Sequence, residues 1–147
     1  MKASVFLRIA SVLSMVHCVL HTVGGVLAPP RHGGEEIAVL ETMKAHRFDF
    51  MGSMRSYADF MLGYGLFVAI VLLVDAVLFW QLAALARRQP RGLRPIVALF
   101  LFSFVGMAVV SWRCFFVAPV VTELLIAACL GAACANLPGR STTAAGQ

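Results

Sequence analysis

Charge is scarce in this chain. Only 13% of its 147 residues are Asp, Glu, Lys or Arg, against roughly 25% in soluble domains, while 61% are hydrophobic. A water-soluble fold of this length cannot hide that much apolar surface. Also missing are a glycine-rich phosphate loop, a GxSxG elbow, a kinase signature set and an HExxH pair, which removes the soluble enzyme classes those motifs mark. The four cysteines, Cys18, Cys114, Cys129 and Cys134, have no CxxC spacing, and three lie inside apolar runs, where a thiol acts as a small hydrophobe. A Cys18–Cys114 disulfide is not expected, because Cys18 lies too deep in its run. Neither an internal repeat nor a low-complexity tract is present apart from the Gly, Ser, Thr and Ala tail, residues 138–147, expected to be disordered. The net charge of +5 does not point to nucleic acid, because the basic residues form no stripe interleaved with aromatics. They stand between apolar runs instead.

Those runs are what the chain does have. Crossing a bilayer core takes about 20 apolar residues as helix, at about 1.5 Å each, with every backbone amide satisfied internally. Four stretches qualify, near residues 9–28, 60–86, 96–112 and 115–135, and the fold class expected is all-α, an antiparallel four-helix transmembrane bundle in one domain, residues 1–137. With flanking turns the helices are placed at about residues 5–28, 57–86, 93–112 and 115–136. Asp75 interrupts the second at a cost of about 3 kcal/mol, which its many Leu, Val, Ile and Phe, each returning about 0.3 to 0.6, outweigh. The first run could be a cleaved signal peptide, but Arg8, His17 and His21 within it and the lack of a small-x-small site argue for a retained helix.

Arg87, Arg88, Arg91 and Arg94 crowd the short link between the second and third runs, which predicts that this link and both termini are cytoplasmic. The longer first loop mixes Arg31, Lys44, Arg47 and Arg55 with Glu35, Glu36, Glu41, Asp49 and Asp59, as an external loop allows. Within it, Ile37, Leu40, Met43, Phe48 and Met51 recur at roughly helical spacing, predicting a short amphipathic helix over residues 35–54 on the outer face.

Ionisable residues inside apolar runs are costly and turn toward the bundle interior. His17 and His21 share a face of the first helix with Ser14, Cys18 and Gly25, and Glu123 shares one of the fourth with Ala127, Gly131 and Cys134. Asp75 lies about 160° around its helix from Asp59, so aiming both inward would need a break at Gly63-Tyr64-Gly65. Depth within the runs pairs His21 with Glu123 toward the outside and His17 with Asp75 toward the inside. Arg55, Tyr57, Asp59 and Arg113 add an outer polar layer beside Trp112, Phe115 and Phe116, outlining an outward polar cleft. The set His17, His21, Arg55, Tyr57, Asp59, Asp75, Arg113 and Glu123 is the candidate ligand site. No metal site is expected, since the i, i+4 histidines lack an HExxH context, and two ligands on one face of one helix cannot approach a haem iron from opposite sides. Three uses remain open: a lipophilic small molecule such as a quinone or lipid, a proton or ion relay, and polar bonds that only fix helix packing. The glycines of HTVGG, residues 21–25, end a helix instead of opening one after a strand, so they are expected to terminate it or permit close packing.

The motifs HTVGG at residues 21–25, RFDFMG at 47–52, YADFMLGYG at 57–65 and WRCFFVAP at 112–119 resemble an uncharacterised family of small bacterial four-helix integral membrane proteins. The resemblance covers most of the chain, and the architecture is distantly similar to DoxX-like four-helix proteins. It implies a bacterial inner-membrane location without naming an activity or cofactor. Carried over by position, His21, Arg47, Asp49, Arg55, Tyr57, Asp59, Trp112 and Arg113 fall on the outer side. The function expected is binding of a lipophilic small molecule in the outward cleft, with His21, Tyr57, Asp59, Arg113 and Glu123 as polar anchors. The alternatives are a non-catalytic assembly or accessory subunit and a small proton-coupled transporter. The lipid bilayer is the expected partner, with homo- or hetero-oligomers open.

Overall fold

A computed structural model describes residues 2–139. They form α1 (Lys2–His21), which runs into a π-helical turn (Thr22–Val26), then α2 (Gly34–Ala45), a hairpin of β1 (Arg47–Phe50) and β2 (Ser53–Ser56), α3 (Tyr57–Arg88), α4 (Leu93–Cys114) and α5 (Val117–Asn136). The fold is all-α apart from the hairpin. Residues 2–26 and helices α3, α4 and α5 are each long and apolar enough to cross a membrane. Most of the expected disordered tail, residues 140–147, lies outside the described residues.

Local chemistry sets the ends. Pro29 and Pro30 follow the π turn, where the Leu27 amide reaches the Thr22 carbonyl at 2.9 Å, one residue wider than an α turn. Gly92, at φ 81°, supplies the left-handed residue before α4. Pro95 and Pro119 each occupy the third position of a helix, where the missing N–H would have had no intrahelical partner. At 32 residues α3 spans ~48 Å, more than a hydrocarbon core of about 30 Å requires.

One sequence expectation is corrected. The helix predicted over 35–54 ends at Ala45, where His46 turns extended, and Phe48 and Met51 belong to the hairpin. Arg47-Phe48-Asp49-Phe50 alternates polar and apolar, a strand's period of two, and Gly52 at φ 82° with Met51 at φ 53° closes a two-residue turn with both central residues left-handed. No residue of α2 is buried. Nor does α3 break at 63–65; it is continuous, with Asp75 buried and Asp59 exposed.

The described residues form two compact units. One comprises residues 2–17 and 73–139. Its core is Leu7, Phe79, Val97, Phe104, Ile126 and Leu130, all fully buried, with Phe79 edge-on to Phe100 at 5.1 Å. Arg8 lies over the Trp80 ring at 4.8 Å, its charge held against the aromatic face. Much of the remaining helix surface is apolar and exposed, Phe102 at 77% among it, as lipid contact would have it. The other unit, residues 18–72, holds the π turn, α2, the hairpin and the first half of α3. There Val26 packs on Gly65, where an added Cβ would stand 2.7 Å from Val26 Cγ2.

Candidate functional site

The eight candidate residues divide evenly between the units. His17, Asp75, Arg113 and Glu123 belong to the first; His21, Arg55, Tyr57 and Asp59 belong to the second.

In the first unit, α1 lays Ser4, Ser11, Ser14 and His17 on its buried side. Spacings of three and seven residues keep such a stripe on one face of a 3.6-residue helix. Ser11 Oγ donates to the Ala76 carbonyl at 2.6 Å, tying α1 to α3 beside the buried Asp75. Thr122 Oγ1 and His17 Nδ1 stand 3.3 Å apart, so α1 meets α5 there. Glu123, 3% exposed among the small residues of α5, accepts a 2.9 Å hydrogen bond from Ser111 Oγ on α4 through its Oε1. Among the described residues, two buried side-chain polar atoms of this unit have no hydrogen-bond partner, Glu123 Oε2 and Ser14 Oγ. Arg113, at the exposed end of α4, is not part of this buried set.

In the second unit, His21 Nε2 lies 2.9 Å from the Gly65 carbonyl, and Cys18 Sγ donates to the Ala69 carbonyl at 3.3 Å. Within their own units, His21 meets a backbone carbonyl, Glu123 a serine hydroxyl and His17 a threonine hydroxyl. Gly25, expected on the packed face, is exposed, and the close helix approach falls at Gly65.

Asp59 and Ser56 cap α3 reciprocally. The Ser56 amide donates to Asp59 Oδ2 at 2.8 Å, and the Asp59 amide donates to Ser56 Oγ at 3.2 Å. Arg47 and Arg55 both donate to the Met54 carbonyl, at 3.1 and 3.0 Å, clamping the hairpin, and both act electrostatically on Asp59. Tyr57 lies tilted against Phe48 at 5.0 Å, and Phe48 stacks on Phe60 at 6.2 Å; Phe60 meets Phe50 edge-on at 5.5 Å and stacks on Tyr64 at 6.4 Å. Tyr57, Phe60, Tyr64 and Phe67 follow the i, i+3, i+7, i+10 spacing of one helix stripe, a signal legible in the sequence but outside the candidate set. Along this stripe runs a shallow groove of about 230 Å³, lined by Arg55, Asp59, Phe60, Gly63, Tyr64 and Phe67.

All four cysteines are free thiols. Among the described residues, no three His, Cys, Asp or Glu side chains gather as a metal site. Comparison with family models, with curated proteins and with solved structures finds no match to this chain.

Proposed function

We propose that this integral membrane protein binds a lipophilic small molecule, a quinone or a lipid, in the groove at the start of α3. The observation that carries the reading is the placement of one guanidinium, Arg55, beside an apolar trough of Phe60, Tyr64 and Phe67. An aromatic wall takes a ring or acyl chain by area and stacking, while a guanidinium has five N–H donors, of which one goes to Met54, for a carbonyl or phosphoryl head. Asp59 and Tyr57 act indirectly, one by capping the helix and the other by holding Phe48 against it. The arginine-rich link at residues 87–94 supports an orientation with both termini cytoplasmic and this groove outside. The motif resemblance supports a bacterial inner membrane.

Binding of decylubiquinone and of a short-chain phosphatidylglycerol to the purified protein, followed by tyrosine and tryptophan fluorescence, tests the proposal. Arg55→Ala should weaken one of them about tenfold or more, the loss of one charge-assisted hydrogen bond. Equal affinities for wild type and variant, or no saturable binding of either probe, would refute it. A second reading, an assembly or accessory subunit, draws on the hairpin tip, where Met51 is 93% exposed beside a half-exposed Phe50. That reading requires co-purification of a partner that Met51→Lys releases while ligand binding persists.

A further inference from the structure

We propose that Glu123 and Ser14 form a buried, exchangeable site for a monovalent cation, a proton or a sodium ion, within the first unit. A carboxylate inside a membrane helix needs a counter-charge, a proton or several donors, because the hydrocarbon offers none. Glu123 has one donor, Ser111, committed to Oε1, and makes no ion pair among the described residues. Among the described residues, its Oε2 and the hydroxyl of Ser14 are the two buried side-chain nitrogen or oxygen atoms without a hydrogen-bond partner, and Ser14 is wholly buried.

The two residues adjoin, along their own helices, one contact between α1 and α5. His17 and Thr122 meet there; Ser14 stands three residues before His17 on the same buried stripe, and Glu123 follows Thr122 directly. A carboxylate oxygen and a hydroxyl are hard oxygen donors, the chemistry that takes sodium or a shared proton and refuses softer metals. Ser111 orients the carboxyl through Oε1 and leaves Oε2 for the guest. Loading converts COO⁻ and H⁺ to COOH, or associates Na⁺ with COO⁻; neither step consumes an oxidant or reductant. Among the described residues, the other buried titratable groups of this unit are His17 on α1 and Asp75 on α3, while Arg8, Arg94 and Arg113 are exposed and Arg8 is engaged by Trp80.

Dicyclohexylcarbodiimide, which modifies protonated carboxyls in apolar surroundings, provides the test on the full chain in phosphatidylcholine vesicles, with adducts mapped by mass spectrometry. One arm raises pH without sodium; a second raises NaCl at fixed pH against matched choline chloride. An adduct on Glu123 that falls about tenfold per pH unit above its midpoint, and is indifferent to sodium, identifies the proton. An adduct that sodium suppresses at fixed pH identifies the ion. Ser14→Ala should displace the pH midpoint or weaken the sodium protection, and Asp75→Asn should leave the Glu123 adduct in place. An adduct insensitive to both pH and sodium, absence of any Glu123 adduct, or a Ser14→Ala protein identical to wild type in both arms would overturn the proposal. The wild-type arms stand even if a variant fails to fold.

Discussion

Val26 closes on Gly65 so tightly that no side chain can be added there without displacing it: an ideal Cβ on Gly65 would sit 2.7 Å from one Val26 methyl and 3.2 Å from the other. The π turn brings Val26 to this position, and a β-branched side chain has few rotamers with which to yield. Gly65→Ala should therefore lower stability by about 1 to 3 kcal/mol through overpacking, and Val26→Ala on the same chain should restore part of it. Unfolding of the single and double variants in mixed micelles measures both. Additive losses would show that the two residues do not touch.

About two turns earlier, the Ser56–Asp59 capping box holds the start of α3. Replacing Ser56 with Ala should cost about 1 kcal/mol, and Asp59→Asn, which keeps an acceptor, less. Amide exchange at residues 57–60 reports the fraying directly.

Glu36 folds back from the first turn of α2 over the preceding loop, its Oε2 accepting the amides of Arg31 and His32, each at 2.7 Å. The His32 amide chiefly, with that of Arg31, holds the carboxyl below its ordinary 4.5. A carboxylate with a depressed folded value stabilises its loop above the unfolded value and loses that contribution as pH falls through the folded one. The Arg31 and His32 amide resonances should accordingly titrate with a midpoint under 4.5, and in Glu36→Gln the acidic transition should vanish.

Met51 takes a left-handed conformation, φ 53°, that side chains other than Asn, Asp and Gly rarely adopt. Met51→Asn should stabilise the hairpin, by less than about 1 kcal/mol, because Asn-Gly suits a turn with both residues at positive φ. Gly52→Val, forcing a β-branched side chain to φ 82°, should open it. Cross-strand exchange protection between Phe48 and Arg55 separates the two outcomes.

The four spans were legible in the sequence because their cause is local. About 20 consecutive apolar residues suffice, whichever neighbours they meet, and Pro29, Gly92, Pro95 and Pro119 mark boundaries through their own backbone chemistry. The hairpin was missed because Ile37, Leu40 and Met43 set a helical period that runs on by coincidence through Phe48 and Met51, and Met-Gly is a weaker turn signal than Asn-Gly. Periodicity did place Ser14 and His17 on one face of α1 and Glu123 among small residues on α5. What it could not supply were the partners. Ser111 for Glu123, Thr122 for His17 and the Gly65 carbonyl for His21 lie 12, 105 and 44 residues away along the chain. Hydrogen bonds reach only about 3 Å, so the helix crossings select them, and residue spacing within a single helix carries no record of where another helix crosses it.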